Sequence, residues 1–148
     1  MFVLIVAGDV SGVRPLGPDT AGGKRLAKAL GVPSVTGAFG VISLVDTWGT
    51  RPSGTWPVGL AEAQVDRIWR ELPPQTDLVL VGEKAAQAVA AQLTYFSWRR
   101  MHRGGQERRV CVLPHPGQAS WWRDPANKVR ASRFCKQLVA EAKESSDG

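Results

Sequence analysis

The sequence predicts an α/β protein: a single three-layer α/β/α domain over residues 1–148 with a short, mainly parallel, four-stranded central sheet. Three observations predict this class. Four continuous apolar runs alternate with segments of helical periodicity, a pattern typical of parallel strands that are covered on both faces. The 148 residues suffice for one hydrophobic core. Neither an internal repeat nor a low-complexity segment interrupts the pattern.

The first half of the chain supplies two of the four strands. The run FVLIVA at 2–7 predicts a buried strand, and FGVISLV at 39–45 predicts the second. Between them, TAGGKRLAKALG at 20–31 starts from a polar residue and stops at a glycine, as helices do. A second helix is predicted over LAEAQVDRIWREL at 60–72, where apolar residues recur at helical spacing before two prolines.

The second half supplies the other two strands. DLVLVG at 77–82 predicts the third strand and is followed at once by a predicted helix, EKAAQAVAAQL, at 83–93. RRVCVLP at 108–114 predicts the fourth strand. The last helix is predicted to begin with Asp124 as its N-cap and Pro125 in its first turn.

Composition narrows the functional classes. The net charge of +6 indicates either a polyanionic partner or a charged surface that keeps the protein soluble. No apolar run approaches the ~20 residues that cross a bilayer, so no membrane partner is expected. The only two cysteines, Cys111 and Cys135, cannot form a four-thiolate metal site. We therefore expect reduced thiols, a cytoplasmic location, a monomer, and activity without metal or cofactor.

Motifs that could take part in catalysis or binding follow the predicted strands. Ligands of such sheets bind beyond the carboxyl ends of the strands. GDVSG at 8–12 allows tight turns and a close approach of ligand to backbone, and its Asp9 is either a cap or a catalytic carboxylate. GPDTAGGKRLA at 17–27 resembles a glycine-rich anion cradle that opens a helix, with Lys24 and Arg25 near its start. It lacks the GK[ST] ending of a P-loop.

An arginine-rich segment, YFSWRRMHRGGQERRV, occupies residues 95–110. Its five arginines surround a Gly-Gly turn. One interpretation is a hairpin with a solvated face. The other is an edge that grips phosphates, with Arg99 and Arg100 as DNA contacts.

The most specific segment is HPGQASWW at 115–122. Prolines on both sides hold His115 rigidly, so its imidazole could donate a hydrogen bond to an oxygen that gains negative charge. The alternative is a purely structural corner at a strand end. Trp121 and Trp122 must pack or stack, and we expect Trp122 to wedge the last helix against the sheet.

Together, VAGDVSGVRPLGPDTAGGKRLA, LVLVGEKAAQAV and LPHPGQASWWRDPANKVRASRF resemble the uracil-DNA glycosylase superfamily. The resemblance covers nearly the whole chain. It implies a DNA glycosylase that flips a base out of single- or double-stranded DNA and hydrolyses the N-glycosidic bond of uracil or a related modified or mismatched pyrimidine. It also implies that His115 hydrogen-bonds the departing base, while Asp9 supports the sugar cation or its attacking water.

The remaining predicted site residues fall into two sets. The predicted substrate-binding residues are Gly8, Val10, Gly12, Ser43 and Asp46, of which Asp46 is the carboxylate competing with Asp9 for the catalytic role. The predicted DNA-binding residues are Lys24, Arg99, Arg100, Gln118, Ala119 and Trp121.

The sequence departs from the family pattern at several of these positions. Val10 stands where many members have Asp or Asn, and Ser43 where an Asn often reads uracil. Leu26 stands in the place of the aromatic residue that stacks on the base. These departures leave a second reading, a catalytically weak relative that binds DNA or a protein partner. A third, a small nucleotide or nucleoside hydrolase, fits the arginine-rich segment less well.

Overall fold

The computed structural model describes residues 2–8, 16–17, 19–45, 58–92 and 94–147. The strands are β1 (Phe2–Gly8), β2 (Gly40–Val45), β3 (Asp77–Val81), β4 (Arg99–Arg103) and β5 (Gln106–Leu113). The helices are α1 (Ala21–Leu30), α2 (Val35–Ala38), α3 (Val58–Glu71), α4 (Glu83–Val89), α5 (Ala119–Arg123) and α6 (Pro125–Asp147). The α/β class predicted from the sequence is confirmed.

The number of strands was predicted wrongly, because the sheet has five strands and not four. Its order is β2-β1-β3-β5-β4. Strands β2, β1, β3 and β5 are parallel to one another, and β4 is antiparallel to β5. The extra strand, RRMHR, carries no apolar alternation because it lies at an exposed edge of the sheet. Gly104 and Gly105 join it to β5 with φ values of 57° and 80°. A two-residue hairpin turn of type I′ requires positive φ at both positions, which glycine adopts without strain.

The strand order places a topological switch point between β1 and β3. From β1 the chain moves outward to β2, then returns to place β3 on the opposite side of β1. In open α/β sheets, ligands bind at such a reversal, beyond the carboxyl ends of the strands. Strand β5 lies next to β3, so the loop after β5 borders the same edge.

Helices cover both faces of the sheet. Alternate residues of β3 point to opposite sides, so Leu78 and Leu80 join one apolar cluster while Val79 and Val81 join the other. The first cluster packs against α3 and α4, and the second against α1, α2 and α6. Within the described ranges, no helix is long and apolar enough to span a bilayer.

The ends of α1 agree with the sequence prediction. The Thr20 hydroxyl accepts a hydrogen bond from the Gly23 amide at 3.0 Å, and Gly31 closes the helix with φ at 71°. Gly23 has no room for a side chain, because a Cβ there would collide with the carbonyls of Leu16 and Gly17. This close approach holds the start of α1 against the segment that follows β1.

Helix α4 is shorter than the sequence predicts. It ends at Val89 because Ala90 adopts a left-handed conformation, with φ at 62°, and its amide closes back on the last turn. The predicted start of the last helix is confirmed, since the Asp124 carboxylate accepts a hydrogen bond from the Ala126 amide at 2.9 Å.

One arginine of the arginine-rich segment lies inside the protein. Arg108 is 2% exposed. Its guanidinium donates to the carbonyls of Trp69, Leu72, Pro73 and Thr76 at 2.6–3.0 Å. These carbonyls belong to the end of α3 and the turn after it, where helical carbonyls lack partners of their own. Arg108 therefore caps α3 and ties it to β5.

Candidate functional site

The loop that follows β5, Pro114–Gln118, lies at the carboxyl edge of the sheet. The Gly82 amide donates to the Leu113 carbonyl at 2.9 Å, so the ends of β3 and β5 are joined where this loop begins. Pro114 and Pro116 are buried, whereas His115 between them is exposed. Both prolines anchor the loop in the protein while the histidine faces outward.

The imidazole of His115 has a defined hydrogen-bonding state. Its Nδ1 accepts a hydrogen bond from the backbone amide of Gly117 at 2.8 Å. A nitrogen that accepts a hydrogen bond carries no proton, so the neutral ring must carry its proton on Nε2. The loop thereby provides an Nε2–H donor whose tautomer is set by the backbone.

Two glycines fit closely against this ring. A Cβ placed on Gly82 would lie 3.2 Å from His115 Cβ and 3.3 Å from Cδ2, and Gly82 itself has φ at 94°. A Cβ on Gly117 would lie 2.9 Å from His115 Nδ1. This packing removes part of the ring's hydration, and the resulting desolvation lowers the pKa of His115 below its ordinary value. The neutral form is therefore favoured at neutral pH.

The backbone of the loop is held from two sides. The His115 carbonyl accepts hydrogen bonds from the indole of Trp122 and from the Gln118 amide, both at 3.0 Å. The guanidinium of Arg25 donates to the Pro116 carbonyl. Trp122 is buried, in agreement with its expected packing role, and it connects α5 to the loop.

The other predicted residues of this segment differ in exposure. Trp121 is half-buried and contacts Trp122, Tyr95 and Phe96, with ring centroids 5.0–6.0 Å apart. Gln118 is exposed, and its side chain makes no hydrogen bond with the described part of the chain. Ala119 is the first residue of α5. Trp121 is thus engaged in aromatic packing, whereas Gln118 is available to a ligand.

The predicted substrate-binding residues are only partly brought together. Gly8 ends β1, opposite Val45 of β2, at the switch point. Ser43 lies on the edge strand β2, three strand spacings or about 14 Å across the sheet from β5. The structure does not bring Ser43 and His115 together. The positions of Asp9, Val10, Gly12 and Asp46 lie outside the described residues.

Most of the hairpin arginines already have partners. Arg103 contacts Asp66 at 3.1 Å, Arg109 contacts Asp77 at 2.6 Å, and Arg100 lies 3.9 Å from Glu107. These contacts favour the interpretation of the segment as a structural hairpin.

The two predicted DNA contacts in the hairpin also lie away from the loop that carries His115. Arg99 pairs with Val110, and Arg100 pairs with Arg109. Val110 lies three residues, or about 10 Å, before the last residue of β5. The structure does not bring Arg99 and Arg100 to the edge where His115 lies.

A basic groove on the α1–α6 side of the sheet was not predicted as a unit. Its cavity of about 550 Å³ is lined by the basic residues Lys24, Arg25, Lys28, Arg123 and Lys128, together with Ala29, Trp122 and Ser132. The sequence placed Lys24 and Arg25 near the start of an anion cradle and predicted only Lys24 as a DNA contact. The two walls of the groove come from segments about 100 residues apart, so no local pattern links them.

Both cysteines are free and buried in the apolar cluster on the α1–α6 side. Burial raises the pKa of Cys135 to about 12 and that of Cys111 further, so neither is a thiolate nucleophile. Among the described residues, no three His, Cys, Asp or Glu side chains are grouped as metal ligands. Among the described residues, the side chains that could take part in catalysis or binding are therefore His115 and the neighbouring basic side chains. No protein-family model and no curated protein matches the sequence.

Proposed function

We propose that the protein is a DNA glycosylase that hydrolyses the N-glycosidic bond of uracil, or of a related modified or mismatched pyrimidine, in DNA. The observation that carries this proposal is the hydrogen bond from the Gly117 amide to His115 Nδ1. It presents a neutral Nε2–H donor at the edge of a parallel sheet where ligands bind.

The proposed reaction explains why such a donor is needed. When the bond between the base and the sugar breaks, its electron pair leaves with the base and negative charge develops on a pyrimidine carbonyl oxygen. An Nε2–H held in place beforehand stabilises that charge without reorganisation during the reaction. Water then adds to the sugar carbon, and the proton that it loses is balanced by the proton that the released base anion takes up to become the neutral base. Asp9 remains the predicted group for the sugar cation or the attacking water.

The electrostatics are compatible with a nucleic-acid substrate. The net charge of the chain is +6, and five basic side chains line one groove next to the His115 loop. Contacts of this kind hold a DNA backbone without reading its sequence. Base choice would then depend on the residues at the carboxyl edge of the sheet.

Replacement of His115 tests the proposal. We expect His115→Ala to slow single-turnover base release by about 100-fold or more while DNA affinity stays within a few-fold. His102→Ala is the matched control, because His102 is the other histidine of the sequence and lies exposed on β4, 3.7 Å from Glu107. Equal base release by wild type and His115→Ala would overturn the assigned role and favour a structural corner.

A second candidate is a DNA-binding protein with the same fold and little catalysis. The observation that favours it is the distance of about 14 Å across the sheet between Ser43 on β2 and strand β5. This distance separates a predicted substrate contact from the strand that leads to the predicted catalytic His115. This candidate predicts that the wild-type protein binds DNA but releases no base from it.

A further inference from the structure

We propose that the basic groove binds the phosphodiester backbone of the DNA strand that carries the target base. This inference rests on the proposed function for the identity of the strand. In this proposal the principal phosphate contacts are the groove walls formed by α1, α5 and α6, and not the hairpin arginines.

The first argument is charge. Among the described residues, the lining of the groove has five basic side chains and no acidic one. The side chains of Lys24, Lys28, Arg123 and Lys128 form no hydrogen bond or ion pair with the described part of the chain, and all four residues are exposed. Mutual repulsion among these cations is relieved when a polyanion binds between them.

The second argument is the contrast with the hairpin. The cleft beside the hairpin is of similar size, about 610 Å³, and is lined by three arginines together with Asp77 and Glu107. Its arginines are paired with those carboxylates or buried against carbonyls, so phosphates would have to displace existing partners. The groove cations meet no such competition from the residues described.

The third argument is spacing. Lys24 and Lys28 are four residues apart in α1, which places them on one face of the helix and about 6 Å apart along its axis. Arg123 and Lys128 line the same cavity from α5 and α6. A single phosphodiester strand lying in the groove would meet basic groups on both sides.

The fourth argument is continuity with the candidate site. Arg25 lines the groove and donates to the Pro116 carbonyl, while Trp122 lines it and donates to the His115 carbonyl. Two lining residues of the groove thus contact the loop that carries the proposed leaving-group donor. A strand whose target base reaches His115 would have its flanking phosphates at the mouth of the groove.

The groove is suited to backbone and not to base recognition. Trp122, the one aromatic residue among the described residues of the lining, is only 6% exposed, so its ring faces are not available to stack on bases. Flexible lysines act as point charges toward phosphates. Binding in the groove should therefore be independent of sequence and sensitive to salt.

The test compares two double variants in binding to a labelled single strand of mixed sequence that contains no uracil. Lys24→Ala/Lys28→Ala and Arg99→Ala/Arg100→Ala each remove two exposed positive charges. At about 50 mM salt, the groove variant should bind roughly tenfold more weakly and the hairpin variant less than about threefold. The slope of log K against log salt should fall by about 1.4 in the groove variant, or 0.7 for each lost contact with a single strand.

Two further variants complete the test. Arg123→Gln/Lys128→Gln removes the charges of the other wall and should reproduce the loss, which guards against a local folding defect in α1. Lys24→Arg/Lys28→Arg keeps the charges and should bind like wild type. A hairpin variant that loses as much affinity as the groove variant, or a groove variant that binds like wild type, would overturn the inference.

Base release is not part of this measurement, so the two proposals fail separately. Groove-dependent binding without release of any base would contradict the glycosylase and leave the groove assignment intact. Base release that depends on His115, with DNA affinity unaffected by the groove variants, would contradict only the groove assignment.

Discussion

Gly117→Ala tests whether the orientation of His115, and not only its presence, supports base release. In the structure the Gly117 amide donates to His115 Nδ1 at 2.8 Å. A methyl group on residue 117 would lie 2.9 Å from Nδ1 and 3.1 Å from Cε1. Because Gly117 is exposed and does not adopt a positive φ, the substitution should perturb the ring and leave the fold intact.

The expected magnitude follows from these contacts. Ordinary van der Waals separation begins near 3.4 Å, so the ring must move by about 0.5 Å or rotate away from the new methyl group. That displacement lengthens the hydrogen bond that fixes the tautomer and redirects Nε2–H. Because misplacement of a reacting group by 1 Å can cost about 100-fold, we expect base release to slow by roughly 10- to 100-fold.

The assay is single-turnover base release from a uracil-containing oligonucleotide, with DNA affinity measured in parallel. Gly59→Ala is the matched control, since a Cβ at this position of α3 meets no described atom within 4 Å outside its own stretch of helix. A double-variant cycle isolates the effect. If Gly117 acts by positioning the ring, Gly117→Ala should change little once His115 is already Ala.

Two results would refute this reasoning. Base release at the wild-type rate in Gly117→Ala would mean that the hydrogen bond to Nδ1 does not position the donor. A full loss of activity that persists in the His115→Ala background would mean that residue 117 acts independently of the ring.

Three further predictions concern other groups. Desolvation places the folded-state pKa of His115 below the unfolded value of 6.5, so the stability contributed by the neutral ring is present above pH 6.5 and is lost as pH falls through the folded-state pKa. Base release should fall over the same pH range. Unfolding and kinetic measurements on wild type and His115→Gln as a function of pH would check both effects. Asp9→Asn should slow base release without unfolding the protein, and an Asp46→Asn variant that loses activity while Asp9→Asn keeps it would reverse that assignment. Arg108→Met should lower the free energy of unfolding by about 2–4 kcal/mol in urea titrations, because it leaves buried carbonyls without a donor. As the control, Arg100→Met at an exposed position should change the free energy of unfolding by less than about 0.5 kcal/mol. Equal effects of the two substitutions would contradict the capping role of Arg108.

The sequence predicted the central part of the fold because that part is encoded locally. Strands β1 and β3 and the second half of β5 are apolar runs that contribute to both apolar clusters, and β2 is an apolar run at the other edge of the sheet. The periodicity of these runs differs from that of the helices between them. The edge strand β4 was missed because its charged sequence has no strand periodicity. It pairs because the glycine turn returns the chain onto β5, which supplies the hydrogen-bonding partner.

The candidate site was predictable in position but not in geometry. The prolines around His115 and the strand before them indicate an exposed histidine at the carboxyl edge. Its tautomer could not be predicted, since it depends on how the Gly117 amide is aimed. The capping role of Arg108 was also missed, because it depends on carbonyls more than 30 residues earlier in the chain.

The basic groove illustrates the same limit at longer range. Lys24 is recognisable in a glycine-rich stretch, but Arg123 and Lys128 have no local feature that distinguishes them from other surface cations. They become part of one site only because α1 packs beside α6. Charge density at a site is therefore a property of the packing, and net charge alone does not locate it.

The central claim is that this protein releases a base from DNA, and a panel of substrates tests it most directly. Wild-type protein would be incubated with duplexes and single strands that carry uracil, other modified pyrimidines or mismatches, and the products scored for abasic sites. We predict abasic sites at uracil or at one of the related pyrimidines, formed at least about 100-fold more slowly by His115→Ala. The absence of abasic sites in every substrate, with DNA binding intact, would contradict the account.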